Sequence, residues 1–212
     1  YCFQPNARQA VKDSIKAAIK HIEDQVPCIK FKDVGEKSTD ACAQTPSFVV
    51  LTPTKRVCSA YVGLSAWFKD NHKSQSVTLG QGCESLGIVA HEMAHVLGMT
   101  HEHSRSDRRH YIEIVKDKIK ESSIHNFKTR DDAYKGMPYD LLSLMHYSAT
   151  TFSKDGSMTL EAHDHELSQY MGQREGLSEL DVEQLGEMYG CKDIVTPLLQ
   201  NKELSTTLSE RA

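Results

Sequence analysis

Several features are missing from this 212-residue chain, and each absence removes a class of protein. No apolar run approaches the length needed to cross a bilayer, and no secretory leader is visible. Neither charge sign dominates: 25 basic against 29 acidic residues leave a net charge of -4, with no basic stripe of the kind nucleic acid requires. Arg105, Arg108 and Arg109 form only a short cluster broken by Asp107, which reads as a salt-bridged local structure. No internal repeat or low-complexity segment appears, and no Asn-x-Ser/Thr glycosylation acceptor. No Cys-x-x-Cys pair exists among Cys2, Cys28, Cys42, Cys58, Cys83 and Cys191, which argues against a cysteine zinc site or a thioredoxin-type redox site. An even number of widely spaced cysteines fits disulfides and an oxidising compartment, with the pairing left open by the sequence. Tyr1 stands where an initiator Met would, so a processed or truncated product is expected.

What is present concentrates in residues 91–101, HEMAHVLGMTH. His91 and His95 lie four apart and fall one turn apart on the same face of a helix, so both imidazoles can reach one metal ion. Glu92 then places its carboxylate beside the metal without being a ligand. Gly98 lets the chain leave the helix through a conformation that side chains disfavour, and the chain returns with His101 as a third nitrogen. Three neutral imidazoles leave one tetrahedral position open for water, the arrangement of a catalytic zinc site. Cobalt or copper would accept the same ligands. HExxH alone is a short pattern that chance supplies; His91, Glu92, His95, Gly98 and His101 together are not.

Elsewhere, residues 6–25 read as an amphipathic helix ended by Pro27, and residues 85–97 as the metal-bearing helix, with Leu86, Val89, Ala90 and Leu97 apolar. Residues 28–32, 48–51 and 76–80 read as strands, residues 35–44 as a polar surface loop, and residues 111–122 as a helix. Residues 154–157 mark a tight turn. Ser178 and Asp181 cap a last helix whose buried side is Val182, Leu185, Met188 and Tyr189. Residues 192–212 read as a tail. His163, His165 and Glu166 read as a solvated loop and not a second metal site, and His103, His110, His125 and His146 carry no assigned chemistry.

The string continues past the third histidine as His101-Glu-His-Ser-Arg-Ser-Asp-Arg, which resembles the astacin family signature HExxHxxGFxHExxRxDR. His91, Glu92, His95, Gly98, His101, Glu102, Arg105, Asp107 and Arg108 match; Met99 stands in place of the usual Phe and Arg109 in place of a common Asp. Residues 143–147, SLMHY, resemble the family's SxMHY Met-turn, and residues 171–181 its IGQRxxLSxxD segment. The resemblance implies an α+β metzincin-type zinc protease domain over residues 1–191. Its upper half, about 1–98, would hold a twisted sheet and two long helices; its lower half, about 99–191, would be mostly irregular with a C-terminal helix. It further implies one zinc per chain, Glu92 as general base, and Met145 as an apolar floor beneath the histidines. Tyr147 would ligate zinc at rest and then hydrogen-bond the oxyanion. Glu102 would meet the N-terminus freed by propeptide removal, a contact this chain's start does not complete.

The family pattern also implies the disulfides Cys28–Cys191 and Cys58–Cys83. Cys2 and Cys42 are left as a third pair or as partners of residues absent from this chain. The expected activity is hydrolysis of extracellular protein or peptide by a secreted enzyme with no nucleic-acid partner and no membrane span. A non-catalytic binding module on the same fold is the rival; loss of Glu92 or a zinc histidine would favour it, and none is lost. Glu102 and Tyr147 argue against a reprolysin-like or matrixin-like enzyme.

Overall fold

Val11, Ile15, Ala18, Ile19 and Ile22 recur on one face of α1 (Gln9–Gln25), and all five are buried. The computed structural model describes residues 1–35, 48–65, 74–133, 136–191 and 193–195. Four short strands make the first sheet: β1 (Cys2–Phe3), β2 (Phe48–Leu51), β3 (Cys58–Ala60) and β4 (Gln75–Leu79). Their spatial order is β1-β2-β4-β3, with β3 antiparallel to β4 at one edge and the other pairs parallel. α2 (Leu86–Val96) carries the metal motif, and Val89, Ala90, Met93 and Ala94 are buried while Leu86 stays exposed. α1, the sheet and α2 share one core containing Ile15, Ile22, Val50, Val77, Leu79 and Met93.

After Gly98 regular structure thins out. β5 (Ile112–Ile114) pairs antiparallel with β6 (Leu160–Ala162), single 3-10 turns fill the intervals, and α3 (Glu179–Met188) closes the domain. A second core of Ile112, Ile119, Phe127, Tyr139, Leu160 and Met171 holds this half together. α3 starts as expected: Ser178 Oγ accepts from the Asp181 amide, and the Asp181 carboxylate accepts from the Ser178 amide.

Four expectations need correcting. Met188 and Tyr189, expected on the buried side of α3 with Val182 and Leu185, are exposed, and the Tyr189 hydroxyl donates to the Leu97 carbonyl at 3.2 Å. Residues 28–32 alternate like a strand yet form none: the Phe31 amide donates to Glu23 Oε1 at 2.8 Å, and Cys28 is tied to Cys191. Residues 111–122 are not a helix, because β5 finds its partner in β6 and the following residues make 3-10 turns at 116–118 and 121–127. Past Cys191 the chain still has a partner, for Val195 is fully buried against Gly186 of α3. The expected loop over residues 35–44 lies almost wholly outside the described residues.

Cys28 joins Cys191 with Cα atoms 6.4 Å apart, and Cys58 joins Cys83 with Cα atoms 5.8 Å apart. Cys2 is also in a disulfide, and among the described residues no cysteine is free; Cys42 lies outside them. The first bridge fastens the end of α1 to the end of α3 across a separation of 163 residues.

Candidate metal centre

His91 and His95 occupy successive turns of α2, and their rings meet edge to face with centroids 4.6 Å apart. The helix ends at Val96, and two residues on Gly98 turns the chain with a φ of +101°, open to glycine and strained for any side chain. That exit returns the chain over the helix face, so the His101 ring lies 5.3 Å from His91 and 4.6 Å from His95. The remaining hydrogen bonds fix the tautomers. His91 Nδ1 lies 2.9 Å from the Leu144 carbonyl and His95 Nδ1 2.8 Å from the Met99 carbonyl. A carbonyl only accepts, so both Nδ1 atoms carry the proton and both Nε2 atoms present bare lone pairs. One donor nitrogen from each of the three rings lies within 4.8 Å of the others. Burial lowers the pKa of all three, His91 and His101 furthest, with the neighbouring imidazoles adding to the effect on those two. His101 Nε2 lies 3.2 Å from His95 Nε2, so three largely buried imidazoles, two of them fixed with bare Nε2 lone pairs, converge on one point and fit a single zinc ion. Among the described residues no other such group is found.

Glu92 sits beside these ligands and is itself buried. Its carboxylate accepts the Ala60 amide of edge strand β3, while Oε2 is buried without a hydrogen-bond partner. Burial pushes its pKa up to about 7, with the Arg174 guanidinium and the Ala60 amide pulling the other way. A carboxylate so poised can take and return a proton near neutral pH. Tyr147 stands across the site with its ring 4.6 Å from His101, and burial pushes its phenol up to about 12.

The Met-turn is clamped from α3. Asp181 accepts from Ser143 Oγ at 2.6 Å and from the Leu144 amide at 2.8 Å, and Ser143 Oγ accepts the Met145 amide. Leu144 is held on its other side too, since its carbonyl accepts from both His91 and Arg174. Met145 is fully buried in the upper core. Glu102 is placed differently from the other candidates: its carboxylate is taken up by Arg105 at 2.9 Å and by the Asp140 amide. Arg105 also binds Asp107, and Arg108 donates to the His103 carbonyl, so these two arginines are internal wiring while Arg109 is exposed.

Four contributors escaped the sequence reading. Arg174 and Asp181 stand inside the segment compared with IGQRxxLSxxD, yet their targets are backbone groups about 30 to 40 residues away, which no pattern displays. His103 and His146 are both fully buried. His146 donates from Nδ1 to the Tyr147 carbonyl at 2.7 Å and accepts the Tyr139 hydroxyl at Nε2, 2.9 Å.

Burial holds His146 near pKa 4 against an ordinary 6.5. Between those values the unfolded chain binds a proton that the folded chain refuses, so stability falls as pH drops from about 6.5 toward about 4. The loss from this one group is on the order of 3 kcal/mol. His146→Gln should flatten the pH dependence of urea unfolding by about one proton over that window relative to wild type. Parallel profiles for the two proteins would contradict this.

A four-stranded sheet over a histidine-bearing helix, with a clamped methionine turn beneath, defines a metzincin-type domain. Residues 1–190 match the model of the Astacin peptidase family, and the chain belongs to that family. Zinc metalloproteinase nas-37 of Caenorhabditis elegans is 37% identical over 186 residues, covering 85% of this chain and 22% of that protein. The Bone morphogenetic protein 1 homolog of Strongylocentrotus purpuratus is 31% identical over 208 residues, covering 95% of this chain and 31% of its own length. The chain therefore spans less than a third of the length of these relatives. Among solved structures, high choriolytic enzyme 1, a hatching-enzyme zinc protease from Oryzias latipes, is similar at TM-score 0.74 and 26% identity, covering 90% of this chain and 88% of that one. Myroilysin shares the fold at TM-score 0.58 and 18% identity, covering 89% and 90%.

Proposed function

We propose that this domain is a secreted zinc endopeptidase that cuts peptide bonds in proteins, with His91, His95 and His101 as ligands and Glu92 as general base. The observation that carries the reading is the unpartnered Glu92 Oε2, buried beside three imidazoles whose ligand nitrogens lie within 4.8 Å of one another. When bound, zinc lowers the pKa of water to about 7 and polarises a carbonyl. Glu92 accepts the proton of the attacking water and delivers it to the departing amine. Tyr147 donates its hydroxyl to the developing oxyanion, for which a phenol held protonated is suited. Met145 and Gly98 shape the site without touching substrate.

The substrate is an extended peptide laid along β3, the antiparallel edge strand that also supplies the Ala60 amide to Glu92. Disulfides, with no free cysteine among the described residues, support an extracellular location. Among the described residues no helix is long and apolar enough to cross a membrane. We take residues 1–191 as the catalytic domain, with Val195 beyond it packed back on α3, and infer a precursor whose propeptide, once removed, frees the N-terminus that Glu102 meets. A binding module without activity would have no need of an unpartnered buried carboxylate at the metal.

Purified protein should contain one zinc per chain and digest casein; a chelator should abolish digestion, and added zinc should restore it. Folded protein without stoichiometric metal would sink the metal assignment. Metal-loaded protein inactive on casein, gelatin and mixed peptide libraries would favour the binding module.

A further inference from the structure

Tyr147 is boxed in by rings, and one of them is of an unexpected kind. His103 lies face to face with the phenol, centroids 3.8 Å apart and planes 25° from parallel. Phe127 and Phe152 stand edge-on to the phenol at 5.9 and 5.8 Å. Phe152 holds a positive φ of 58°, a strained position for a bulky residue, with its carbonyl accepting the Lys120 amide at 3.0 Å. A third phenylalanine in place of His103 would be the simple way to finish an aromatic box.

The imidazole instead makes one bond and leaves one atom stranded. Nε2 donates to the Asn126 carbonyl at 3.0 Å, which fixes the proton there. Nδ1 is consequently a bare acceptor, buried and without a hydrogen-bond partner. An unpaired buried acceptor is a standing cost that a hydrocarbon ring avoids. In return the N–H bond fixes the plane of the ring, which a phenylalanine held only by packing could tilt.

We propose that His103 is a positioning residue for Tyr147: its anchored imidazole is a fixed plate that keeps the phenol in one plane as the hydroxyl approaches the oxyanion. This rests on the oxyanion role given to Tyr147 above. Because His103 acts only through that hydroxyl, its loss cannot cost more than Tyr147→Phe, about a hundredfold to a thousandfold in kcat. His103→Leu, which removes both plate and anchor, should lower kcat about 30-fold with KM nearly unchanged. His103→Phe, which keeps a ring and drops the anchor, should fold as well as wild type and lose about 5-fold in kcat.

The experiment is a double-mutant cycle on zinc-loaded protein, with metal content measured for every variant. In the Tyr147→Phe background both His103 substitutions should change kcat less than about 2-fold. A readout independent of turnover is the ring-proton shift of Tyr147 in tyrosine-labelled protein, assigned by its disappearance in Tyr147→Phe. That resonance should move in both His103 variants. Equal kcat losses in the two backgrounds, or an unmoved Tyr147 resonance, would overturn the proposal and leave His103 a packing residue. A Tyr147→Phe enzyme with wild-type kcat would instead remove the oxyanion role itself, and this inference with it. Should the leucine variant fail to fold, His103→Phe carries the same cycle.

Discussion

Glu92→Gln protein is expected to purify with one zinc per chain and almost no turnover. The metal stays because its donors are three imidazole nitrogens, none of which belongs to residue 92. The fold stays because glutamine is nearly isosteric and its carbonyl oxygen can still accept the Ala60 amide. What disappears is the basic Oε2, replaced by an amide that takes no proton. No substitute is at hand: the other buried carboxylate of the motif, Glu102, is occupied by Arg105 and the Asp140 amide. The loss should be about 10³-fold or more in kcat, the upper range for removing a general base. A casein or fluorogenic-peptide assay with parallel elemental analysis decides it. Substantial turnover in this variant would overturn the assignment of Glu92.

Gly87→Ala should damage stability, against the intrinsic trend. Alanine favours a helix over glycine by about 1 kcal/mol, so an exposed position would gain. Gly87, however, lies where α2 presses on the backbone of the Arg174 loop: an added Cβ would fall 1.6 Å from the Arg174 carbonyl oxygen and 2.7 Å from its Cα. Both are backbone atoms, so nothing can swivel aside. The Arg174 side chain grips the Leu144 and His146 carbonyls, so moving the loop disturbs the Met-turn under the zinc ligands. We expect a loss of at least about 4 kcal/mol, seen as a Tm lower by roughly 10 °C or as failure to accumulate folded protein. A Tm within a degree or two of wild type would show that α2 is not seated on that loop.

The metal centre was legible because local spacing encodes it. A helical period puts His91 and His95 on one face, one glycine turns the chain, and His101 arrives within six residues. α1 was legible for the same reason, its buried face written at i, i+4, i+7, i+8 and i+11 from Val11 to Ile22. Features set by distant partners were not. β5 is three residues long and is a strand only because Leu160–Ala162 lies alongside. β1, of two residues, gives no alternation to read. Residues 28–32 show the opposite failure, since their alternating pattern is overridden by the Glu23 side chain and the Cys28–Cys191 bridge. The support around the zinc ligands runs through carbonyls of Leu144 and Met99, and every residue has a carbonyl. Side-chain motifs therefore reveal the ligands and stay silent about what aims them.

The bridge from Cys28 to Cys191 has a consequence for survival among proteases. Any single cut between those two positions yields one fragment holding Cys28 and another holding Cys191, and the two remain one covalent molecule. A nicked enzyme would migrate intact on a gel without reductant and fall into two bands with it. The irregular stretch from Gly98 to Ser178, with its short turns and exposed loops, is where such a nick would fall, and it lies wholly inside the staple. A nick there would leave both halves of the metal centre tethered, so the domain can outlast the first breaks in its own backbone.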